Sequence, residues 1–243
     1  MIQDFNHSID EIVRADYRTA DVFKKHLINY CCGGRVSLQS ACSDKKIDMD
    51  QILDDLDQAT RNIRLPNNLP FDEWKLDFLV DYIVNIHHTY IYRVMPSLGS
   101  GLQSFAGGHI RKYPELAGIT DLFDKLSAIL LVHNHHEDEI IFPYIKQLDS
   151  AYRKKETYGN LFVRTLRKPL SIVEKEHQQI LEYLGEIRRL TNHFSFPGKA
   201  CTNYQVLYHK LEEFSDNLIQ HKFLESNILF PKAIAIEQQL LQI

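Results

Sequence analysis

Residues His133-Asn134-His135-His136-Glu137-Asp138-Glu139-Ile140-Ile141-Phe142-Pro143 place three histidines and three acidic residues in one run. A shorter version recurs near the C-terminus as His221-Lys222-Phe223-Leu224-Glu225-Ser226-Asn227-Ile228-Leu229-Phe230-Pro231. Both stretches share the frame His-x3-Glu-x4-Phe-Pro. A histidine and a glutamate four residues apart lie one turn apart on the same face of an α-helix, so both side chains can reach one metal ion. Two such turns on separate helices predict one dinuclear metal site.

The first stretch contains two overlapping His-x3-Glu pairs, and the helical phase separates them. At ~100° per residue, His133 and Glu137 share a stripe with a set of mostly apolar residues, namely Leu122, Leu126, Ile129, Leu130, Ile140, Ile141, Tyr144 and Leu148. His135 and Glu139 fall on the opposite side, where a solvated face is predicted. The same wheel groups the second pair with Leu207, Leu211, Phe214, Leu218 and Ile228. Both chosen pairs are therefore predicted to point into a core.

Two inward-facing glutamates need a physical explanation. A carboxylate among leucines costs free energy unless it is paired or bound to a metal. A single inward histidine can equally be a hydrogen-bonded core residue, so neither pair alone decides between packing and metal binding. The repeat of the same frame on two helices favours metal binding.

Length, charge and cysteine usage narrow the class of protein. The chain has 243 residues and a formal net charge of −4, which gives no broad basic face for nucleic acid. No apolar run is long enough to span a bilayer, and the opening residues do not resemble a signal peptide. We therefore expect a cytoplasmic protein that binds neither nucleic acid nor membrane. The spacing of the four cysteines fits neither a disulfide scaffold nor a zinc ribbon, so reduced thiols are expected.

The periodicity predicts an all-α chain with two domains. Residues 1–64 are expected to form a small helical domain with a Cys-Cys-Gly-Gly motif, with helices within 8–30 and over about 48–59. Residues 64–70, which contain two prolines, read as a linker. Residues 71–243 are expected to form a four-helix bundle with a metal in its core.

The bundle is predicted from four long helical segments, at about 72–95, 119–149, 169–191 and 203–230, with a tail helix after Pro231. Each segment offers an inward histidine. The first offers His87 or His88, which periodicity does not separate, and the third offers His177.

The resulting candidate set has four imidazoles and two carboxylates, which suits two metal ions bridged by the glutamates. A mixed nitrogen and oxygen set without thiolate favours iron or manganese over structural zinc. Six protein ligands leave open positions for a small molecule. His109 would join the set only if Pro96, Gly99 and Gly101 fold the chain back. An unbroken helix would place it roughly 31 Å from His88, whereas paired metals lie ~3.5–4 Å apart.

The order of these motifs resembles a hemerythrin-like di-iron domain. Together with Tyr30-Cys31-Cys32-Gly33-Gly34, it resembles the di-iron iron–sulfur cluster repair proteins, which carry an ScdA-type N-terminal domain. Further matching motifs are Asp81-Tyr82-Ile83-Val84, Glu176-His177 and Ala200-Cys201-Thr202. In that family the first ligand lies seven residues after the aspartate and eight before a proline. The resemblance therefore implies His88, and the implied metal ligands are His88, His133, Glu137, His177, His221 and Glu225.

The resemblance also implies a cofactor and a role. The cofactor would be two non-heme iron ions with oxo and carboxylate bridges, and the role would be repair of iron–sulfur clusters damaged by nitric oxide or peroxide. Partners would be damaged or apo iron–sulfur proteins and a diatomic ligand, nitric oxide or oxygen. Two mechanisms are open, namely supply of iron to the cluster and reduction of nitric oxide. Whether the chain is an enzyme, and whether it forms a homodimer, is also open.

Two other functions fit the same residues. One is a di-iron nitric oxide reductase or oxidase, and the other is a hemerythrin-like oxygen or redox sensor. A sensor is usually attached to a signalling domain, for which residues 1–70 leave no room, and a carrier does not need the Cys-Cys-Gly-Gly motif. Supply of iron for cluster repair is therefore the favoured interpretation.

The adjacent thiols and one acid have two interpretations each. Cys31 and Cys32 either form a thiol site for iron transfer or exchange, or are small apolar residues in a folded turn. The resemblance favours the thiol site. Glu176 either guides protons or iron beside His177 or is an exposed helix acid. The approach to His133, residues 127–132, is apolar here, where the family often has lysines and acids.

Overall fold

The predicted all-α class is confirmed. A computed structural model describes residues 7–31, 34–62, 69–155 and 166–241. Within these ranges regular structure is helical, apart from an isolated bridge between Ser8 and Ser37. The chain divides into two compact units: Met1–Asn67 with Phe194–Leu211, and Asn68–His193 with Glu212–Ile243. We call them the N-terminal unit and the bundle unit. Most of the predicted linker, residues 64–68, lies outside the described residues.

The N-terminal unit contains four short helices before residue 62: α1 Ile9–Ala15, α2 Thr19–Lys25, α3 Leu38–Lys45 and α4 Met49–Thr60. α1 begins with a capping box between Ser8 and Glu11, which satisfies two backbone N–H groups at the helix start. α3 was not predicted. It begins at the Ser37 cap and has only 8 residues, too few for a sustained periodic pattern.

The bundle unit is built from long helical segments, three of which contain a π-helical turn. The first is α5 Leu76–Tyr82, π1 Ile83–His88 and α6 Thr89–His109; the second is α7 Glu115–His136, π2 Glu137–Ile141 and α8 Phe142–Lys154. The third is α9 Arg167–Leu190. The fourth is α10 Thr202–Leu224, of which the part from Glu212 onward belongs to the bundle unit, followed by π3 Glu225–Leu229 and α11 Phe230–Leu240, which is the predicted tail helix.

The first segment is longer than predicted. It was expected to end near residue 95, yet α6 continues through Pro96 to His109. Proline removes one backbone hydrogen bond, but Leu98, Leu102 and Phe105 beyond it are buried. Burial of these apolar side chains outweighs the local cost of the proline.

The histidines of the four segments lie between two apolar layers of the bundle. One layer is a cluster from α5, α8, α9 and α11 that includes Leu79, Ile145 and Phe230. In the other direction along the helices, Phe123 of α7 packs on Phe214 of α10 at 5.5 Å between ring centroids. The fold therefore holds a polar layer inside an otherwise apolar interior.

Candidate metal centre

The structure brings all six residues that the resemblance implies into one place. Two groups of potential ligand atoms occur in the described part of the chain, and the atoms within each group lie within 4.8 Å of one another. The first group consists of His88, Glu137, His221 and Glu225, and the second consists of His133, Glu137, His177 and Glu225. Because both groups share the same two glutamates, the arrangement has the form of two adjacent sites with two bridging carboxylates.

The distances show which atoms face the centre. Each histidine presents Nε2: His221 Nε2 lies 2.6 Å from Glu225 Oε1, and His177 Nε2 lies 3.1 Å from Glu225 Oε2. Glu137 Oε2 lies 3.3 Å from His133 Nε2 and 3.5 Å from His88 Nε2. Each glutamate thus faces one histidine of the first group and one of the second, as a bridging carboxylate would.

Several of these atoms form no hydrogen bond, and this shows whether a metal ion would fit between them. Glu137 and Glu225 are fully buried, and their carboxylate oxygens, together with His133 Nε2 and His177 Nε2, form no hydrogen bond within the described structure. Buried carboxylates without a hydrogen bond or a bound cation are strongly unfavourable. The donor set, two carboxylates and four imidazoles without thiolate, suits two divalent or trivalent ions such as iron. The residues present therefore fit a pair of metal ions.

The two carboxylates differ in their electrostatic surroundings. Burial and the charge of Glu225 both raise the pKa of Glu137. Burial would also raise the pKa of Glu225, but His221 and His177 outweigh it and hold that pKa well below its usual value. Burial lowers the pKa of His221 to about 3. Without a cation, the pair would hold one charged and one neutral carboxylate more readily than two charged ones.

Two of the imidazoles attract protons. Burial alone would lower the pKa of His88, but Asp138, Glu137 and Glu225 outweigh it and raise that pKa well above its ordinary value. Glu137 and Glu176 similarly outweigh burial and raise the pKa of His133 to about 9. The centre therefore favours positive charge, whether it comes from protons or from metal ions.

The π-helical turns coincide with the candidate ligands. π1 ends at His88, π2 begins at Glu137 and π3 begins at Glu225. A π-turn accommodates one extra residue in a helix and often marks a functional site. These turns were not predicted from the sequence, although the repeated frame that follows each glutamate coincides with two of them.

Side chains next to the candidate ligands fix the outer nitrogens of three histidines. His88 Nδ1 lies 2.7 Å from Asp138 Oδ1, and His133 Nδ1 lies 2.9 Å from Glu176 Oε2. His177 Nδ1 lies 3.1 Å from Ser226 Oγ. Asp138 and Ser226 were not predicted as functional residues from the sequence. Each directly follows a candidate glutamate, and that position was the available signal.

Three other histidines that the sequence brought into question, His87, His109 and His135, belong to neither group of ligand atoms. His135 and Glu139 are exposed, whereas the pair chosen over them is buried. His87 is buried beside the centre, and its ring stacks on His221 at 5.8 Å. His109 stacks on Phe105 at the far end of α6 and belongs to neither group of ligand atoms.

The thiol site stays a prediction. Cys31 is half-buried, and Cys32 lies outside the described residues together with Gly33. Gly34 has the expected close approach, because an added Cβ would collide with the carbonyl oxygen of Tyr30.

Comparison with known proteins defines the class. Residues 79–233 match the hemerythrin HHE cation binding domain, and residues 5–60 match the ScdA_N domain, which is described as a domain of unknown function. The chain therefore belongs to the hemerythrin HHE family, and its two histidine and glutamate groups could hold the cations that such a domain binds.

The comparisons also confirm the resemblance to cluster repair proteins. The chain is 29% identical over 233 residues to the iron-sulfur cluster repair protein YtfE of Enterobacter sp. (strain 638), covering 94% of this chain and 97% of that protein. It is 29% identical over 229 residues to YtfE of Escherichia coli O81 (strain ED1a), with the same shares of the two chains. In the described ranges, no helix is both long and apolar enough to cross a membrane.

Proposed function

We propose that this protein repairs damaged iron–sulfur clusters by supplying iron from a two-iron centre. The observation that carries the proposal is the pair of ligand groups joined by two fully buried glutamates. The names of the similar proteins support repair as the role. Damaged or apo iron–sulfur proteins would be the partners.

The ligands divide between the two ions as the two groups do. His88 and His221 would hold one iron, His133 and His177 the other, and Glu137 and Glu225 would bridge them. When bound, the pair would supply transferable iron and open positions for a small molecule such as nitric oxide or oxygen. Four protein ligands per ion leave such positions on an octahedral ion.

Protonation of the histidine ligands would favour the release of iron. A metal ion and protons compete for the same imidazoles, so loss of the ion is coupled to proton uptake. In the metal-free centre the pKa of His133 is raised to about 9 and that of His88 also lies well above its ordinary value. Near neutral pH, protons would replace part of the positive charge that departing iron removes. This lowers the electrostatic cost of emptying a buried acidic site.

The test starts from protein purified without added metal. Metal analysis should find about two irons per chain, and the iron-loaded protein should restore the absorption spectrum of a separately prepared apo iron–sulfur protein in the presence of sulfide and a thiol reductant. His177→Ala should lose this transfer, because one group of ligands is incomplete. His135→Ala should retain it, because His135 is exposed.

Three outcomes would count against the proposal. Zinc, or no metal, in folded protein would exclude an iron centre. Two irons that stay bound while the reduced protein consumes nitric oxide catalytically would identify a nitric oxide reductase. Two irons that bind oxygen reversibly, without transfer or turnover, would identify a carrier or sensor.

A further inference from the structure

We propose that Asp138, held by Tyr92, is a positioning residue for His88 and thereby fixes one metal of the pair. The inference rests on the proposed two-metal centre. It concerns side chains outside the six candidate ligands, and it connects the buried first group to the protein surface.

The contact geometry forms a chain of three side chains. Asp138 Oδ1 lies 2.7 Å from His88 Nδ1, and the Tyr92 hydroxyl donates to Asp138 Oδ2 at 3.0 Å. His88 is fully buried, whereas Tyr92 is 38% exposed. The Asp138 carboxylate thus uses one oxygen for the imidazole and the other for the phenol. A carboxylate held at both oxygens has little freedom to rotate.

This contact selects the nitrogen that faces the metal. When Nδ1 carries its proton toward Asp138, the lone pair of His88 is on Nε2. Nε2 is the atom that lies 3.5 Å from Glu137 and 3.8 Å from Glu225. The negative charge of Asp138 also makes the imidazole a stronger donor, which favours the ferric over the ferrous ion.

The position of Asp138 in the chain strengthens the argument. It directly follows Glu137 in π2, while His88 and Tyr92 lie four residues apart in π1 and α6. One turn of the second segment therefore supplies both a shared carboxylate and the support for a histidine of the first segment. A small rotation of π2 would displace both together.

The experiment compares four single variants: Asp138→Asn, Asp138→Glu, Tyr92→Phe and the control Glu139→Gln. Glu139 is the next acid in the same π-turn but is exposed. Each protein is loaded with iron, and three quantities are measured: irons per chain, the rate of iron loss to a ferrous chelator, and the midpoint potential. Asp138→Asn should accelerate loss of one of the two irons about 10- to 100-fold and raise the midpoint potential.

The other variants separate positioning from a general structural role. Asp138→Glu should restore much of the parent behaviour because it restores the charge, Tyr92→Phe should lie between Asp138→Asn and the parent, and Glu139→Gln should match the parent. Thermal unfolding of the metal-free proteins should be similar for all. An unchanged midpoint potential in Asp138→Asn, or an equal change in Glu139→Gln, would overturn the proposal.

Cobalt(II) titration keeps the two proposals distinguishable. A parent that binds cobalt at the centre but never holds iron would contradict the proposed function, while cobalt affinity would still rank the variants. If Asp138→Asn then bound cobalt as tightly as the parent, the positioning role would fail. A parent that binds neither metal would overturn both proposals.

Discussion

The interiors of the two units are built in opposite ways. The N-terminal unit encloses an apolar cluster that includes Phe23, Leu38, Ile52 and Leu56. The bundle unit has apolar clusters too, but it also buries the six candidate ligands, four histidines and two glutamates, with His87 beside them. Both interiors come from the packing of helices. The polar layer of the bundle is therefore an additional feature that helix packing does not require.

The two interiors have different effects on stability. An apolar core stabilises by burial alone, at about 25 cal/mol per Å². A buried layer with carboxylates that lack hydrogen bonds lowers stability unless a cation is present. We infer that the residues that hold metal in the bundle lower the stability of the metal-free protein. Substitutions in each interior test this inference.

The largest expected effect comes from Glu137→Leu. Both groups of ligand atoms lose a shared carboxylate, so we expect metal content to fall from two ions to nearly none. Metal analysis after purification measures this. The matched control is Glu139→Leu, which changes an exposed acid two residues away and should retain the metal.

Although Glu137→Leu should lose the metal, it should make the metal-free protein more stable. Burial and Glu225 raise the pKa of Glu137, so its carboxylate is costly in the empty protein. Leucine removes a buried polar group without a hydrogen bond, which should raise the free energy of unfolding by about 1–3 kcal/mol. Urea unfolding of both metal-free proteins would show it. A metal-free Glu137→Leu that is less stable than the metal-free parent would contradict the contrast.

Phe23→Ala in the N-terminal unit should lower stability and leave the metal content unchanged. Phe23 is fully buried in the apolar cluster, and removal of such a side chain costs about 3–5 kcal/mol. The free energy of unfolding should fall by that amount for the transition of this unit, while metal per chain in the folded protein stays at the parent value. A loss of metal in folded Phe23→Ala would show that the two interiors are not independent.

The sequence predicted the inner face around His133 and Glu137 correctly because local phase determines it, whereas Ile140, assigned to the same face, is exposed within π2. A histidine and a glutamate within an apolar stripe must be buried if the stripe is, and His133 and Glu137 are. The choice of His88 over His87 needed the resemblance, since both side chains are buried. Local pattern cannot distinguish two inward neighbours on a helix that is apolar on nearly every side.

The missed features depend on contacts between helices. The partner of Asp138 is His88, 50 residues away, and no periodicity in either segment reveals that pairing. The predicted end of the first segment near residue 95 is wrong, because packing against α7 sustains the helix beyond Pro96. The apposition of Gly99 and Phe123 illustrates this, since an added Cβ would lie 3.4 Å from the Phe123 ring.

Removal of the metal should affect the bundle unit selectively. Ligand binding stabilises the folded state by about 2.7 kcal/mol when free ligand is at 100 times the dissociation constant. Hydrogen exchange before and after chelation would measure this by residue. We expect lower protection in α7 and α10, which carry candidate ligands, and unchanged protection in α4. Equal loss of protection in α4 would show that metal removal does not affect the bundle unit selectively.

The smallest expected effect comes from Ser226→Ala. The hydroxyl of Ser226 lies 3.1 Å from His177 Nδ1, and a neutral hydrogen bond contributes about 0.5–1.5 kcal/mol, on the order of two- to tenfold in metal affinity. Competition with a chelator measures it. The control is Ser127→Ala, whose hydroxyl donates to the Phe123 carbonyl at 2.7 Å on α7.

Comparison of Ser226→Ala with Asp138→Asn separates the effect of charge from the effect of histidine orientation. Both Asp138 and Ser226 follow a bridging candidate glutamate and support a histidine, but only Asp138 carries charge. If charge is what supports the metal, loss of Ser226 should change affinity without moving the midpoint potential, whereas loss of the Asp138 charge should change both. Equal shifts of potential in the two variants would mean that histidine orientation alone sets the properties of the centre.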